Sequence, residues 1–128
     1  MYQVLSIQDL SCVGKCSLTV ALPVLSAMGC ACSVLPTAVL STHTGFPEPV
    51  CRIMTEDLLP MAEHFCSVGA EFDAITVGYV SDPRQLAEIE KATDLIDTNI
   101  ILDPVLGDHG RMYSGITAQH VDAMRKFS

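Results

Sequence analysis

Four short runs of nearly uninterrupted apolar residues recur along this chain, each followed by a stretch with helical spacing. The runs are Val4-Leu5-Ser6-Ile7, Cys32 to Leu35, Phe72 to Val77 and Asn99 to Leu102. A strand with one wet face alternates apolar and polar residues, whereas one buried on both faces reads as continuously apolar. Between the runs the period changes. Gly14 to Met28 reads as a helix, with Pro23 kinking it or marking a late start and Gly29 as its stop. Thr55 is placed to cap a second helix, with Glu56 and Asp57 in its first turn. Leu58, Met61, Ala62 and Phe65 then recur at i, i+3, i+4 and i+7 before Gly69 ends it. Asp82-Pro83 opens a third helix striped by Leu86, Ile89 and Ile96, and Thr117 caps a fourth carrying Val121 and Met124. The alternation predicts one α/β domain over residues 1–128, a parallel sheet covered by helices on both faces. Pro36 is expected to close the second strand, leaving Ser41 to Pro49 as a polar loop.

Composition narrows the partners. The chain has 128 residues, 49% hydrophobic and 17% charged, which suits a buried sheet and not a disordered segment. Seven basic residues against 15 acidic give a net charge of −8, which repels nucleic-acid and anionic lipid phosphates. A bound nucleotide therefore needs local devices, such as backbone N–H groups or a metal ion. Cys16 to Thr42 contains no charged residue and is long enough to span a bilayer. Pro23, Gly29 and Pro36 interrupt it, so a buried helix followed by a buried strand explains it better, and no membrane association is expected. The six cysteines include a C-x3-C pair (Cys12, Cys16) and a C-x-C pair (Cys30, Cys32), neither of which is a paired C-x2-C zinc pattern. The N-terminus shows no export signal, so a cytoplasmic chain with reduced thiols is expected.

Open parallel sheets bind ligands just beyond the carboxyl ends of their strands. Here the first run leads to Gln8 and Asp9, the second to Ser41-Thr42-His43-Thr44-Gly45, the third to Gly78-Tyr79, and the fourth to Asp103, with Asp108 five residues on. Any one of these is equally a turn former or a helix cap. Their arrival at one rim from four strands points to a ligand site. Asp103 and Asp108 can hold Mg2+, directly or through water, beside the phosphates of a nucleotide. Gly107 and Gly110 let the backbone approach a ligand. His43 is either a site residue or a solvated loop histidine, and Tyr79 either stacks on an aromatic ligand or caps the core. Gly14-Lys15 invites a P-loop reading, but Cys16 stands where Ser or Thr is needed and no glycine opens the loop, so that reading is rejected.

At these same residues the chain resembles the pyridoxal kinase branch of the ribokinase-like superfamily. The blocks that carry the resemblance are Ser6-Ile7-Gln8-Asp9, Ser41 to Gly45, Gly78-Tyr79, and Asp103-Pro104-Val105-Leu106-Gly107-Asp108, with Met112-Tyr113 in register. The resemblance implies ATP-dependent phosphorylation of the 5′-hydroxymethyl group of pyridoxal, pyridoxamine or pyridoxine. It implies that Asp9, His43, Thr44, Tyr79 and Tyr113 line the substrate site, with Asp103 and Asp108 near cations and ATP phosphates. ATP, Mg2+ and a monovalent cation are the implied cofactors, and a homodimer the implied assembly. Two positions depart from the family pattern. Asp9 stands where many members have Ser, and Val80-Ser81 replaces the more usual Leu-Gly. An Asp at position 9 accepts a hydrogen bond from ring substituents or pairs with a protonated ring nitrogen. The family's catalytic base lies in a Gly-x-Gly-Asp block of the second half, and no such block occurs here. The expectation is therefore an N-terminal part of a kinase domain that is inactive alone. The alternatives are a hydroxymethylpyrimidine kinase of the same superfamily, a non-catalytic α/β ligand-binding module, and a thiol-redox or metal protein.

Overall fold

A computed structural model describes all residues, 1–128. In chain order the elements are β1 (Gln3–Val13), α1 (Leu18–Ala27), β2 (Ala31–Thr42), β3 (Cys51–Ile53), α2 (Thr55–Ser67), β4 (Ala74–Val77), α3 (Arg84–Ile96), β5 (Asn99–Leu102), β6 (Gly107–Asp108), β7 (Arg111–Met112) and α4 (Ala118–Phe127). The main sheet has the order β3-β2-β1-β4-β5, and β6 and β7 form a separate hairpin. β2, β1, β4 and β5 run parallel, whereas β3 is an antiparallel edge that the apolar pattern did not announce. Its three residues are all exposed, so no buried run marks it.

One face of the sheet holds the core. Leu5 and Ile7 of β1, Leu35 of β2, and Ile75 and Val77 of β4 pack with Leu58 of α2, Leu86 and Ile89 of α3, and Met124 of α4. Each such side chain, fully buried, contributes about 1.5–3 kcal/mol relative to its exposed state. The other face carries α1 against β1 and β2, with Leu18 buried. Coverage is thus unequal. The sheet ends at β5, where Ile101 is 61% exposed.

Two strands run past their expected ends. β1 continues through Asp9 to Val13, and β2 continues through Pro36 to Thr42. The register slips by one residue between Gln8/Leu10 on β1 and Pro36/Val39 on β2, which marks a bulge. A proline donates no hydrogen bond and is tolerated at such an irregularity, so Pro36 sits beside the bulge and does not end the strand.

The helix starts follow local hydrogen bonding. The Asp82 carboxylate accepts the Arg84 N–H at 2.9 Å, and Arg84 returns a side-chain bond that holds the Asp82 carboxyl below its ordinary range. The expected Thr55 cap is not made. Met54 takes the cap position, because its N–H is drawn to the Thr37 carbonyl at 2.9 Å, and Thr55 becomes the first helical residue. Gly29 and Gly69, with φ of 84° and 75°, follow α1 and α2 in the left-handed conformation that favours glycine. None of the helices is long and apolar enough to cross a membrane, and all six cysteines are unpaired.

The bulge is tied to α3 by a fully buried amide. Gln85 Nε2 donates to the Thr37 carbonyl at 2.6 Å, while Gln85 Oε1 has no partner. The same carbonyl already accepts the Met54 N–H. Gln85→Met keeps the length and removes the unpaired oxygen, so the lost bond and the relieved desolvation nearly cancel. It is expected to change stability by less than about 1 kcal/mol, against about 2–3 kcal/mol for Gln85→Ala, which also leaves a cavity. Urea denaturation of the two variants checks the difference.

Candidate active site

β1 and β2 outrun β4, which stops at Val77, so residues 9–13 and 39–42 project beyond the carboxyl edge of the sheet. This projection forms one wall of a cleft of about 770 Å3. Opposite stand Tyr79, just past β4, and the segment around Val105, Tyr113 and Ser114. All five residues expected to touch substrate, Asp9, His43, Thr44, Tyr79 and Tyr113, line this one cleft. Asp103 and Asp108 do not. The Asp103 N–H bonds the Val77 carbonyl at 2.9 Å, which sets Asp103 beside Gly78 at the same sheet edge, exposed to solvent. Asp108 is exposed on the β6–β7 hairpin, with its carboxylate accepting the His109 N–H at 2.7 Å. That hairpin turns through His109 and Gly110, both at positive φ, the signature of a tight two-residue turn.

Asp9 is the electrostatic centre. Its residue is 5% exposed, and its carboxylate accepts the Ser17 hydroxyl at 2.5 Å and the Ser11 hydroxyl at 3.4 Å. None of the ion pairs of the chain involves it. A nearly buried anion held by neutral donors alone is under-compensated, and a ligand cation entering the cleft would complete it. Its field is felt by a neighbour. Burial, and secondarily Asp9, pushes the Tyr79 phenol above its ordinary range, so at neutral pH Tyr79 keeps its proton and can donate it in a hydrogen bond. The Tyr79 and Tyr113 rings meet edge to face at 6.2 Å and 88°, giving the cleft an aromatic side. Gly78 leaves room for the Gln8 side chain, since a β carbon there would meet Gln8 Oε1 at 2.5 Å.

His43 follows the last residue of β2. Its backbone N–H donates to the Val13 carbonyl at 3.1 Å, and its ring lies 4.9 Å from Phe46. The sequence pattern did not single out Ser11, Ser17 or Phe46. Ser17 owes its place to a positive φ of 49° ahead of α1, which no residue type there announces. Lys15, rejected as part of a P-loop, nevertheless lines the cleft.

A cleft built this way, at the carboxyl edge of a parallel sheet with α/β crossovers, is where open α/β enzymes bind their ligands, and similarity to solved kinases makes this the ribokinase-like kinase fold. Comparison with solved structures narrows this. Over 98% of its length the chain matches a Bacteroides thetaiotaomicron protein described as a phosphomethylpyrimidine kinase and crystallised with pyridoxal, at 36% identity and a TM-score of 0.92. Over 99% it matches pyridoxal kinase from Lactobacillus plantarum at 35% identity and a TM-score of 0.90. A pyridoxal kinase from Leishmania donovani, solved with ADP and pyridoxamine, matches over 99% at 26% identity and a TM-score of 0.81. From end to end, then, the chain is similar to part of a pyridoxal kinase. It spans 45%, 46% and 47% of the lengths of those three chains. No family model matches it, and no curated protein does.

Proposed function

We propose that this chain forms the ring-binding part of an ATP-dependent kinase that phosphorylates the 5′-hydroxymethyl group of pyridoxal, pyridoxamine or pyridoxine. The observation that carries the reading is the meeting of Asp9, His43, Thr44, Tyr79 and Tyr113 in one cleft at the carboxyl edge of the sheet. Tyr79 and Tyr113 offer a surface to a flat heteroaromatic ring, and Asp9 offers a charge to its nitrogen or polar substituents. The pyridoxal, pyridoxamine and ADP bound to the similar proteins support this assignment of ligands.

Asp103 and Asp108 are assigned to the phosphate side. Mg2+ is commonly held by one or two carboxylates together with substrate phosphates; exposed Asp103 at this sheet edge would supply one, and exposed Asp108 on the following hairpin the other. The ion would supply charge neutralisation on the transferring phosphoryl group. A monovalent cation, a homodimeric assembly and a cytoplasmic location belong to the same reading. The general base is assigned outside these residues, because no Gly-x-Gly-Asp block is present to place one by resemblance.

The 128-residue chain is expected to bind pyridoxal saturably, followed by its near-ultraviolet absorbance, and to turn over no ATP in its presence. Turnover comparable to that of a complete pyridoxal kinase would overturn the assignment of the base. The second reading, a hydroxymethylpyrimidine kinase, is favoured by the description of the Bacteroides protein. Competition separates the two: hydroxymethylpyrimidine should displace bound pyridoxal only weakly, and tighter binding of the pyrimidine would reverse the assignment.

A further inference from the structure

The His43 imidazole is enclosed by two glycines. A β carbon built on Gly14 would lie 2.0 Å from His43 Cδ2 and 2.9 Å from Nε2. One built on Gly45 would lie 2.6 Å from Cε1 and 2.9 Å from Nδ1. The two glycines thus press on opposite edges of the ring, and neither site has room for a methyl group. Their demands differ. Gly14 has a φ of 103°, so a side chain there is strained by the backbone as well as by the ring. Gly45 has no positive φ, so its need for glycine comes from the ring alone.

A hydrogen bond adds to the enclosure. The Gly45 N–H donates to His43 Nδ1 at 2.9 Å. A nitrogen that accepts such a bond carries no proton, so the neutral ring holds its proton on Nε2. Phe46, whose own N–H bonds the His43 carbonyl at 3.1 Å, packs its ring against the same imidazole. Together these contacts fasten the loop after β2 to the turn ahead of α1, both of which line the cleft.

We propose that Gly14 and Gly45 are positioning residues that clamp His43 in one orientation and one tautomer, so that its Nε2–H is the ring's single donor at the wall of the cleft. The consequence for ligand rests on the reading of this cleft as a pyridoxal site: the clamped donor selects ring ligands that present an acceptor to it. Glycine at 14 and 45 then acts through His43 and touches no ligand itself.

Long-range proton–nitrogen spectra of the histidine-labelled chain test this without ligand. The wild type should show His43 as a single Nε2–H tautomer. Gly45→Ala should show averaging of the two ring nitrogens. Pyridoxal binding should weaken about 10-fold in Gly45→Ala, the equivalent of one hydrogen bond. In a His43→Ala background the same substitution should cost nothing further, since the methyl enters the space the ring has left. A mixed tautomer in the wild type, or a full additional loss in the His43→Ala background, would overturn the clamp. If Gly45→Ala does not fold, the wild-type spectrum alone decides. If the wild type binds no pyridoxal, the assignment of the cleft is what fails, and the nitrogen spectra still judge the clamp.

Discussion

Replacing Asp9 by Asn is expected to weaken pyridoxal binding about 100-fold while leaving the unliganded protein as stable as before, or more so. Both halves follow from one circumstance. Asp9 is almost wholly buried, faces the cleft, and is held by two hydroxyls with no cationic side chain in an ion pair. Without ligand, the chain bears the cost of keeping that charge from water. Asn has the same shape, accepts the Ser17 hydroxyl through its oxygen, donates to Ser11 through its amide, and removes the charge. The melting temperature should hold or rise by a few degrees, since about 1 kcal/mol moves a domain of this size by about 3–5 °C. With ligand the balance inverts. A hydrogen bond to a charged partner is worth about 1.5–3 kcal/mol, which corresponds to roughly 10- to 150-fold in affinity. Opposite signs in the two measurements are what distinguish a ligand-facing charge from a structural one, as residues kept for function are commonly costly to stability. Thermal melts and pyridoxal titrations of the same preparation give both. A variant that loses stability and affinity together, or that binds like the wild type, would remove Asp9 from the site.

How much of this could be read in the sequence divides along a physical line. Buried parallel strands announce themselves through composition, and the four apolar runs each seed an observed strand, with β5 matching residue for residue. β3 stayed hidden because edge strands need no apolar face, and its residues are exposed. The extensions of β1 and β2 were missed because Pro36 reads locally as a breaker, and only pairing across the bulge shows why it is tolerated. That extension changes the site. Asp9 was expected at a strand end, yet it lies within β1 and is buried by the projecting wall. Asp9, the Ser41 to Gly45 loop and Tyr79 were legible because the carboxyl-edge rule needs only strand positions, not side-chain geometry, whereas Tyr113 was reached only through the family resemblance. The Ser17 and Ser11 hydroxyls that hold Asp9, and the glycines around His43, were not legible, since they depend on loops approaching in space. Asp103 reached the expected edge and Asp108 lies on the hairpin beyond it, but neither lines the cleft. Sequence spacing fixes which end of the sheet a loop occupies but not which way its side chains turn.

The last helix shows the same division, and carries the second large effect. Thr117 reads as a cap, and α4 does begin at Ala118. Its partner three residues on is His120, where a Glu or Gln is the usual choice, so the pattern alone gives no reason to notice it. The Thr117 N–H donates to His120 Nδ1 at 3.1 Å, and His120 Nε2 lies 2.9 Å from the Ser81 carbonyl. With Nδ1 accepting, the ring proton sits on Nε2 and is donated to Ser81. One buried imidazole therefore fastens α4 to the turn that follows Tyr79, while Met124 of the same helix enters the core. His120→Ala removes a cap contact worth about 1 kcal/mol and leaves a carbonyl short of a partner at a cost of about 1–3 kcal/mol. A loss of about 3 kcal/mol is expected, lowering the melting temperature by about 10 °C. His120→Gln separates the two parts. Gln can rebuild the bond to the Thr117 N–H but has no second donor placed for Ser81, so it should recover only the smaller share. Because Ser81 is two residues from Tyr79, releasing α4 should also loosen the aromatic side of the cleft. His120→Ala should then bind pyridoxal more weakly than His120→Gln, even at temperatures where both are folded. A His120→Ala protein that melts within about 2 °C of wild type would show that α4 is held by Met124 and its apolar neighbours alone.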